Sequence, residues 1–255
     1  MVELKRIYLT KADLDRIPDD ERYFYFMAGH LANDVNILGK FLLQAQNSAF
    51  RKDGESLDKD PRRQAGLVQM FVVLKLVAGR LHEASRLMGL HYFGKDLPTK
   101  YENDMSEKAR DARAQFSRYF GGDNVITMVR QKFAFHLSRE HIEEVYEGVS
   151  SDYPFVQYLG ETVGANLFMG SEMISLMAMA KLANSQNWLD GINKIRGDTV
   201  KVSAWLLLFL TGYINVINKK YIYIIPVGRE QVENITVDEG RSISLYDLPF
   251  FAAAP

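Results

Sequence analysis

Two stretches, Glu21–Ala49 (ERYFYFMAGHLANDVNILGKFLLQAQNSA) and Arg62–Met88 (RRQAGLVQMFVVLKLVAGRLHEASRLM), decide the fold. In the first, Phe24, Met27, Leu31, Leu38, Phe41 and Ala45 recur at steps of three, four and seven. That spacing puts an apolar stripe on one face of a helix. In the second, Leu67, Phe71, Leu74, Ala78, Leu81, Ser85 and Met88 alternate three and four apart, the seam pattern of a packed helix pair. The segment between them, Arg51 to Arg63, is polar and carries Gly54 and Pro61, which suit a loop and the first turn of a helix. Two long amphipathic helices joined by a loop predict an antiparallel pair.

Working outward, Glu3 to Leu9 alternates as a short strand, and Ile17-Pro18-Asp19-Asp20 reads as a turn entering the first long helix. Gly94 to Asn103, with Pro98 inside it, reads as a loop. Ser106 to Phe120 reads as a shorter helix closed by Gly121-Gly122. Asp123 or Asn124 then caps a helix carrying Val125, Val129 and Phe133, and Ser138 opens another, with Glu140, Glu143 and Glu144 near its start. Phe155 to Leu167 stays open between hairpin, loop and helix. Glu172 to Ala183 and Trp188 to Tyr221 are helical by pattern. Ile235 to Val237 and Ser242 to Leu245 flank Asp238-Glu239-Gly240-Arg241, a hairpin signal. The fold class expected is mainly α: a helical bundle on two long antiparallel helices, with a small C-terminal β-hairpin. Residues 1–150 form the bundle, and 151–255 form a helical extension with the terminal hairpin, packed on the same domain.

The 255 residues suffice for a sizeable core, and 47% hydrophobic with 25% charged residues is ordinary for a globular chain. With 31 basic and 32 acidic residues the net charge is -1, so a grip on nucleic acid would need a local basic patch. The sequence has no cysteine, which excludes disulfides, thiolate nucleophiles and cysteine-ligated zinc. MVELKRIYLT lacks an apolar signal core. The longest uncharged run, Val202 to Asn218, falls short of the ~20 residues of a spanning helix and contains Thr211, Asn215 and Asn218. The expectation is a cytoplasmic protein without membrane contact.

Chemistry concentrates in Met128-Val129-Arg130-Gln131-Lys132-Phe133-Ala134-Phe135-His136. Histidine titrates near neutral pH and moves protons, while arginine offers a permanently charged planar fork that matches phosphate oxygens. Six residues on a regular helix turn the chain about 600°, leaving Arg130 and His136 about 240° apart. They converge if the helix distorts or ends before His136, or if a symmetric dimer brings two motifs together. Such a pair cleaves RNA by deprotonating the 2′-hydroxyl and stabilising the phosphorane.

This segment resembles the Arg-x4-6-His motif of the HEPN superfamily (higher eukaryotes and prokaryotes nucleotide-binding), and its setting is similar: two long helices, then a shorter one bearing the motif. The resemblance covers Glu21 to Glu147. It implies a ribonuclease with no cofactor and no metal, with Arg130 and His136 as the catalytic pair. Gln131 stands where the family commonly has asparagine. Family members act as dimers with paired motifs in one cleft, in toxin–antitoxin, abortive-infection or CRISPR systems, and others serve as non-catalytic scaffolds. Expected partners are therefore an RNA substrate, a second copy of the chain and a cognate antitoxin. Gln131, Lys132, Arg80 and Arg86 are the supporting or RNA-contacting residues. Arg86 to His91 also fits the spacing, but Arg130 has the helix–turn context.

Other groupings have plainer readings. His30 and Asp34 share a helical face, and with His82 and Glu83 they could meet across an antiparallel pair, though the Glu-x-x-His pairs of a bundle metal site are missing. Arg80, Glu83 and Arg86 suit an intrahelical ion-pair row. Lys108, Arg110, Arg113 and Arg118 form a basic cluster diluted by Glu107 and Asp111. Gly160, Gly164 and Gly170 do not make a phosphate loop, and Met169, Met173, Met177 and Met179 suit core filling.

Overall fold

The computed structural model describes residues 2–51, 56–134, 139–162, 165–185, 187–223 and 232–237. It is mainly α. Along the chain come strand β1 (Val2–Ile7) and helices α1 (Lys11–Leu14), α2 (Asp19–Ala49) and α3 (Pro61–Leu87). Then follow α4 (Leu97–Tyr101), α5 (Glu107–Phe120), α6 (Val125–Val129), α7 (Arg139–Glu147), α8 (Met169–Leu182), α9 (Trp188–Ile217) and strand β2 (Val232–Val237). Three π-wound segments, Met88–Phe93, Arg130–Ala134 and Asn218–Ile222, follow directly on α3, α6 and α9.

The three long helices each carry a buried seam at alternating steps of three and four. On α2 it runs through Glu21, Phe24, Ala28, Leu31, Val35, Leu42, Ala45 and Ala49, with half-buried Leu38 completing it. On α3 it runs through Gln64, Leu67, Phe71, Leu74, Ala78, Leu81 and Met88, with Ser85 half-buried. On α9 it runs through Ile192, Ile195, Thr199, Val202, Leu206, Phe209, Tyr213 and Val216. The α3 seam matches the sequence reading residue for residue. On α2, Ala28 holds the seam position where Met27 was expected and Met27 is half-buried, while Phe41 is 49% exposed and Leu42 takes the buried place. In Phe41-Leu42-Leu43 all three residues are apolar, and the seven-residue step from Val35 selects the middle one. Pro61–Phe93 and Trp188–Ile222 are long and apolar enough to cross a membrane by length and composition alone, as core helices of soluble proteins also are.

The residues divide into two compact units, each of which draws on both 1–150 and 151–255. Unit 1 comprises residues 1–34, 83–118 and 204–242. Its core is aromatic: the Phe24 ring lies 5.3 Å from Tyr92 and 4.9 Å from Tyr213, and Tyr92 lies 4.9 Å from Phe209. Most of these rings meet edge to face, the arrangement their quadrupoles favour. Beside them sits Glu21, 3% exposed, in the first turn of α2, where the helix dipole favours a carboxylate. Its Oε1 accepts from Lys100 Nζ at 2.9 Å and from Tyr101 Oη at 3.2 Å, and its backbone carbonyl accepts from Tyr213 Oη at 3.1 Å. Burial raises the Tyr92, Tyr101 and Tyr213 hydroxyls above the ordinary phenol range, with nearby carboxylates adding to the shift, so all three remain protonated.

The segment expected as a loop at Gly94 to Asn103 instead holds α4, which Pro98 opens within its first two positions, where a missing N–H costs nothing. Its Tyr101 and Lys100 complete the Glu21 site. β2 contains the expected Ile235–Val237, but among the described residues its partner is β1, antiparallel, with Val2 opposite Val237 and Ile7 opposite Val232. Ser242 to Leu245 lies outside the described residues.

Unit 2 comprises residues 35–82, 119–203 and 243–255. Here α2 and α3 run antiparallel. Phe41, Ala45 and Ser48 line one shallow cleft with Val73 and Gln69, and Arg63 Nε donates to the Ala49 carbonyl at 3.2 Å. The two backbones meet at Gly66, where an added Cβ would lie 2.7 Å from the Ala49 nitrogen and 2.8 Å from the Ser48 carbonyl carbon. Further along, α7 packs on α8 and α6 touches α8.

Two stability outcomes follow. Gly66→Ala forces two helix backbones apart and lowers the unfolding free energy by about 1–3 kcal/mol. Gly39→Ala, with nothing within 4 Å of its Cβ, raises it by about 0.5–1 kcal/mol through helix propensity. Chemical denaturation of both variants measures the contrast, and equal effects would contradict the close approach. Glu21→Ala removes the acceptor shared by Lys100 and buried Tyr101 and costs about 1–3 kcal/mol, read from the same midpoints.

Candidate functional site around Arg130

The sequence between α5 and α7 folds as a chain of short devices. Gly121 and Gly122 end α5, and Asn124 caps α6, its Oδ1 accepting from Thr127 N at 2.8 Å. Val125, Ile126 and Val129 are buried and anchor α6, whose three-residue apolar face could not hold a free helix of this length. Thr127 also meets α3: its Oγ1 lies 3.3 Å from His82 Nδ1.

Directly after Val129 the winding changes to π over Arg130–Ala134. A π turn closes i to i+5 bonds, so each residue advances fewer degrees than on an α-helix, and such turns recur at functional sites. The winding thus changes within the segment that starts at Arg130, as far as Ala134. Phe133 is the buried anchor of this turn, 3% exposed, and the His141 ring on α7 stands edge-on to it at 6.2 Å. Arg130 is half-buried, whereas Gln131 and Lys132 are exposed. Among the described residues the Arg130 side chain makes no hydrogen bond or ion pair, in contrast to those of Arg22, Arg86, Arg113 and Arg139, each of which holds a carboxylate. A guanidinium without a carboxylate partner keeps its fork available to a phosphate.

The other expected residues divide as follows. Arg80 is half-buried on the part of α3 that belongs to unit 2, the unit of Arg130. Arg86 lies in unit 1, exposed and 2.9 Å from Glu83, the intrahelical ion pair expected from the spacing. His136, Phe135 and Ser138 lie outside the described residues. His82, Thr127 and His141 are the neighbours that sequence reading did not attach to the motif. His141 falls beyond the Arg-x4-6-His window, and the His82–Thr127 contact spans 45 residues.

The remaining constellations resolve locally. His30 Nε2 lies 3.5 Å from Asp34 Oδ2 on α2, while His82 turns to Thr127. Among the described residues no group of three or more His, Cys, Asp or Glu could hold a metal ion. In the basic cluster of α5, Arg113 turns inward to Glu102 at 2.7 Å and stacks near Phe93, whereas Lys108, Arg110 and Arg118 are exposed. The cluster thus loses one charge to the fold and presents three.

Comparison with protein-family models, with curated proteins and with solved structures finds no match to this chain.

Proposed function

We propose that the chain is a HEPN-like, metal-independent endoribonuclease. The observation that carries this reading is the π turn at Arg130–Ala134, which offers a half-exposed arginine side chain with no carboxylate partner among the described residues, at the head of an Arg-x5-His segment. In the proposed reaction one group takes the proton from the RNA 2′-hydroxyl, and the 2′-oxygen attacks the adjacent phosphorus. The phosphorus–O5′ bond breaks, and a second proton goes to the departing 5′-oxygen. The products are a 2′,3′-cyclic phosphate and a 5′-hydroxyl end. Arg130 would neutralise the phosphorane oxygens, where preorganised positive charge is worth most. His136 would serve as acid or base, with an imidazole suited to neutral pH. Exposed Gln131 and Lys132 would orient the pair or contact the RNA backbone, and Arg80 would add positive charge along the strand.

We place this activity in the cytoplasm, in microbial defence or a toxin–antitoxin stress response, with a homodimer supplying two motifs and a cognate antitoxin restraining it. The alternative is a non-catalytic helical binding or scaffold protein, a reading favoured by Gln131 at the position where the family commonly has asparagine.

Incubation with 5′-labelled single-stranded RNA in EDTA separates the two. The enzyme reading expects cleavage leaving cyclic phosphate ends, reduced about 10²- to 10³-fold in Arg130→Ala and at least as strongly in His136→Ala. RNA retention without cleavage by the folded wild-type protein, across a panel of RNAs, establishes the binding reading instead. Cleavage unchanged in both variants overturns the assignment of the pair.

A further inference from the structure

Unit 2 contains a cavity of about 370 Å³ that has no part in the reading above. It lies among α3, the start of α8, Trp188 at the head of α9 and the segment Tyr153–Val156. That size falls within the range of small-molecule sites, which runs from about 300 to 1,000 Å³. The segment over the cavity is held by backbone: Gly170 N–H donates to the Val156 carbonyl at 2.8 Å, and Tyr158 and Leu167 exchange hydrogen bonds at 2.9 and 2.8 Å. Gly170 fits beneath it because a Cβ there would lie 3.1 Å from the Phe155 side chain.

The walls are apolar and soft. Leu67 is fully buried, Met169 is 5% exposed, and Met173, Tyr153 and Trp188 are half-buried. Methionine sulfur and aromatic rings both favour a flat π-system as neighbour. One lining group is out of place in such a wall. Gln64, 4% exposed, occupies a seam position on α3. Its Nε2 donates to the Asp58 carbonyl at 3.0 Å, which fixes the orientation of the amide, since the reverse would set two oxygens against each other. Its Oε1 is buried and has no partner among the described residues. A buried acceptor of this kind is unfavourable until a donor reaches it.

Charge narrows the class further. Among the described residues lining the cavity there is no Lys, Arg or His, and the one charged group is Asp58. The Ser56 hydroxyl holds that carboxyl below its usual range, so it is an anion at neutral pH. A phosphate or carboxylate on the ligand would meet no cation and one anion.

We propose that this cavity binds a small, flat aromatic molecule that carries no negative charge and donates an N–H or O–H to Gln64 Oε1. This site is independent of the ribonuclease reading, and RNA cleavage neither supports nor contradicts it.

The test uses the full chain with ¹³C-labelled methionine methyls and three probes: indole, 1-methylindole and indole-3-acetate. Indole is expected to shift the Met169 and Met173 methyl signals saturably, with the signals assigned from Met169→Leu and Met173→Leu. 1-Methylindole, which lacks the donor, binds about 3- to 10-fold more weakly, as one hydrogen bond predicts, and indole-3-acetate binds most weakly. Gln64→Leu erases the difference between indole and 1-methylindole, and Met173→Trp fills the space and abolishes the indole shifts. Absence of saturable shifts at Met169 and Met173 overturns the proposal. So does equal affinity of wild type for indole and 1-methylindole, a comparison that needs no variant to fold.

Discussion

Everything in this protein depends on keeping three seams buried along helices of 27 to 31 residues. A three-four repeat averages 3.5 residues per turn, whereas an α-helix has 3.6, so a straight seam drifts by about 20° per heptad. Over the four heptads from Glu21 to Ala49 that amounts to about 80°, enough to carry a stripe off its partner unless the helix coils or the buried face widens. α3 widens: Ala65, Val68, Met70, Val77 and Ala84 are buried beside its seam. At the ends of α3 and α9 the winding itself changes to π, and each π segment still buries a residue, Tyr92 in one and Ile222 in the other.

Each seam fully buries one polar or charged residue, and the three are resolved differently. Thr199, fully buried on α9, turns its hydroxyl back to the Ile195 carbonyl at 2.8 Å and satisfies itself within its own helix. Glu21 on α2 needs other elements, and receives donors from α4. Gln64 on α3 satisfies its amide nitrogen and leaves its oxygen unmet. Polar groups at seam positions set register because any slide of the helix strands them. The series runs from self-contained to shared to half-satisfied, and of the three only Gln64 keeps a side-chain acceptor unmet among the described residues.

The long elements were legible because the burial that holds them is periodic and local in sequence. Seven positions from Leu67 to Met88 could be listed from spacing alone, and the two misplacements on α2, Met27 for Ala28 and Phe41 for Leu42, fell where apolar residues stand side by side. The Asn124 cap was legible for the same reason, since a cap is a contact across three residues. What escaped is non-local or has no side-chain signature. β2 pairs with β1, from the far end of the sequence, and no turn motif announces that. Proline in Gly94 to Asn103 signals a loop or the first turn of a helix equally well, and the difference lies in Tyr101 reaching Glu21, 80 residues away. At the candidate site, Arg130 and its exposed neighbours were readable as types, but an i to i+5 turn has no residue pattern of its own.

The pairing of β1 with β2 has a consequence for how this protein is made. Its side-chain contacts join residues 225 and 227 positions apart. At about 5–20 residues per second of synthesis, β1 leaves the ribosome roughly ten to fifty seconds before β2 exists. For that interval Val2–Ile7 is a nascent strand with unfilled backbone donors and acceptors, open to any other extended chain. Glu3, Lys5 and Arg6 place charges along it, and charge is how natural edge strands discourage foreign pairing. The Arg6 charge that later meets Glu233 across the ladder therefore serves first as a guard, at a junction that closes only once β2 is made.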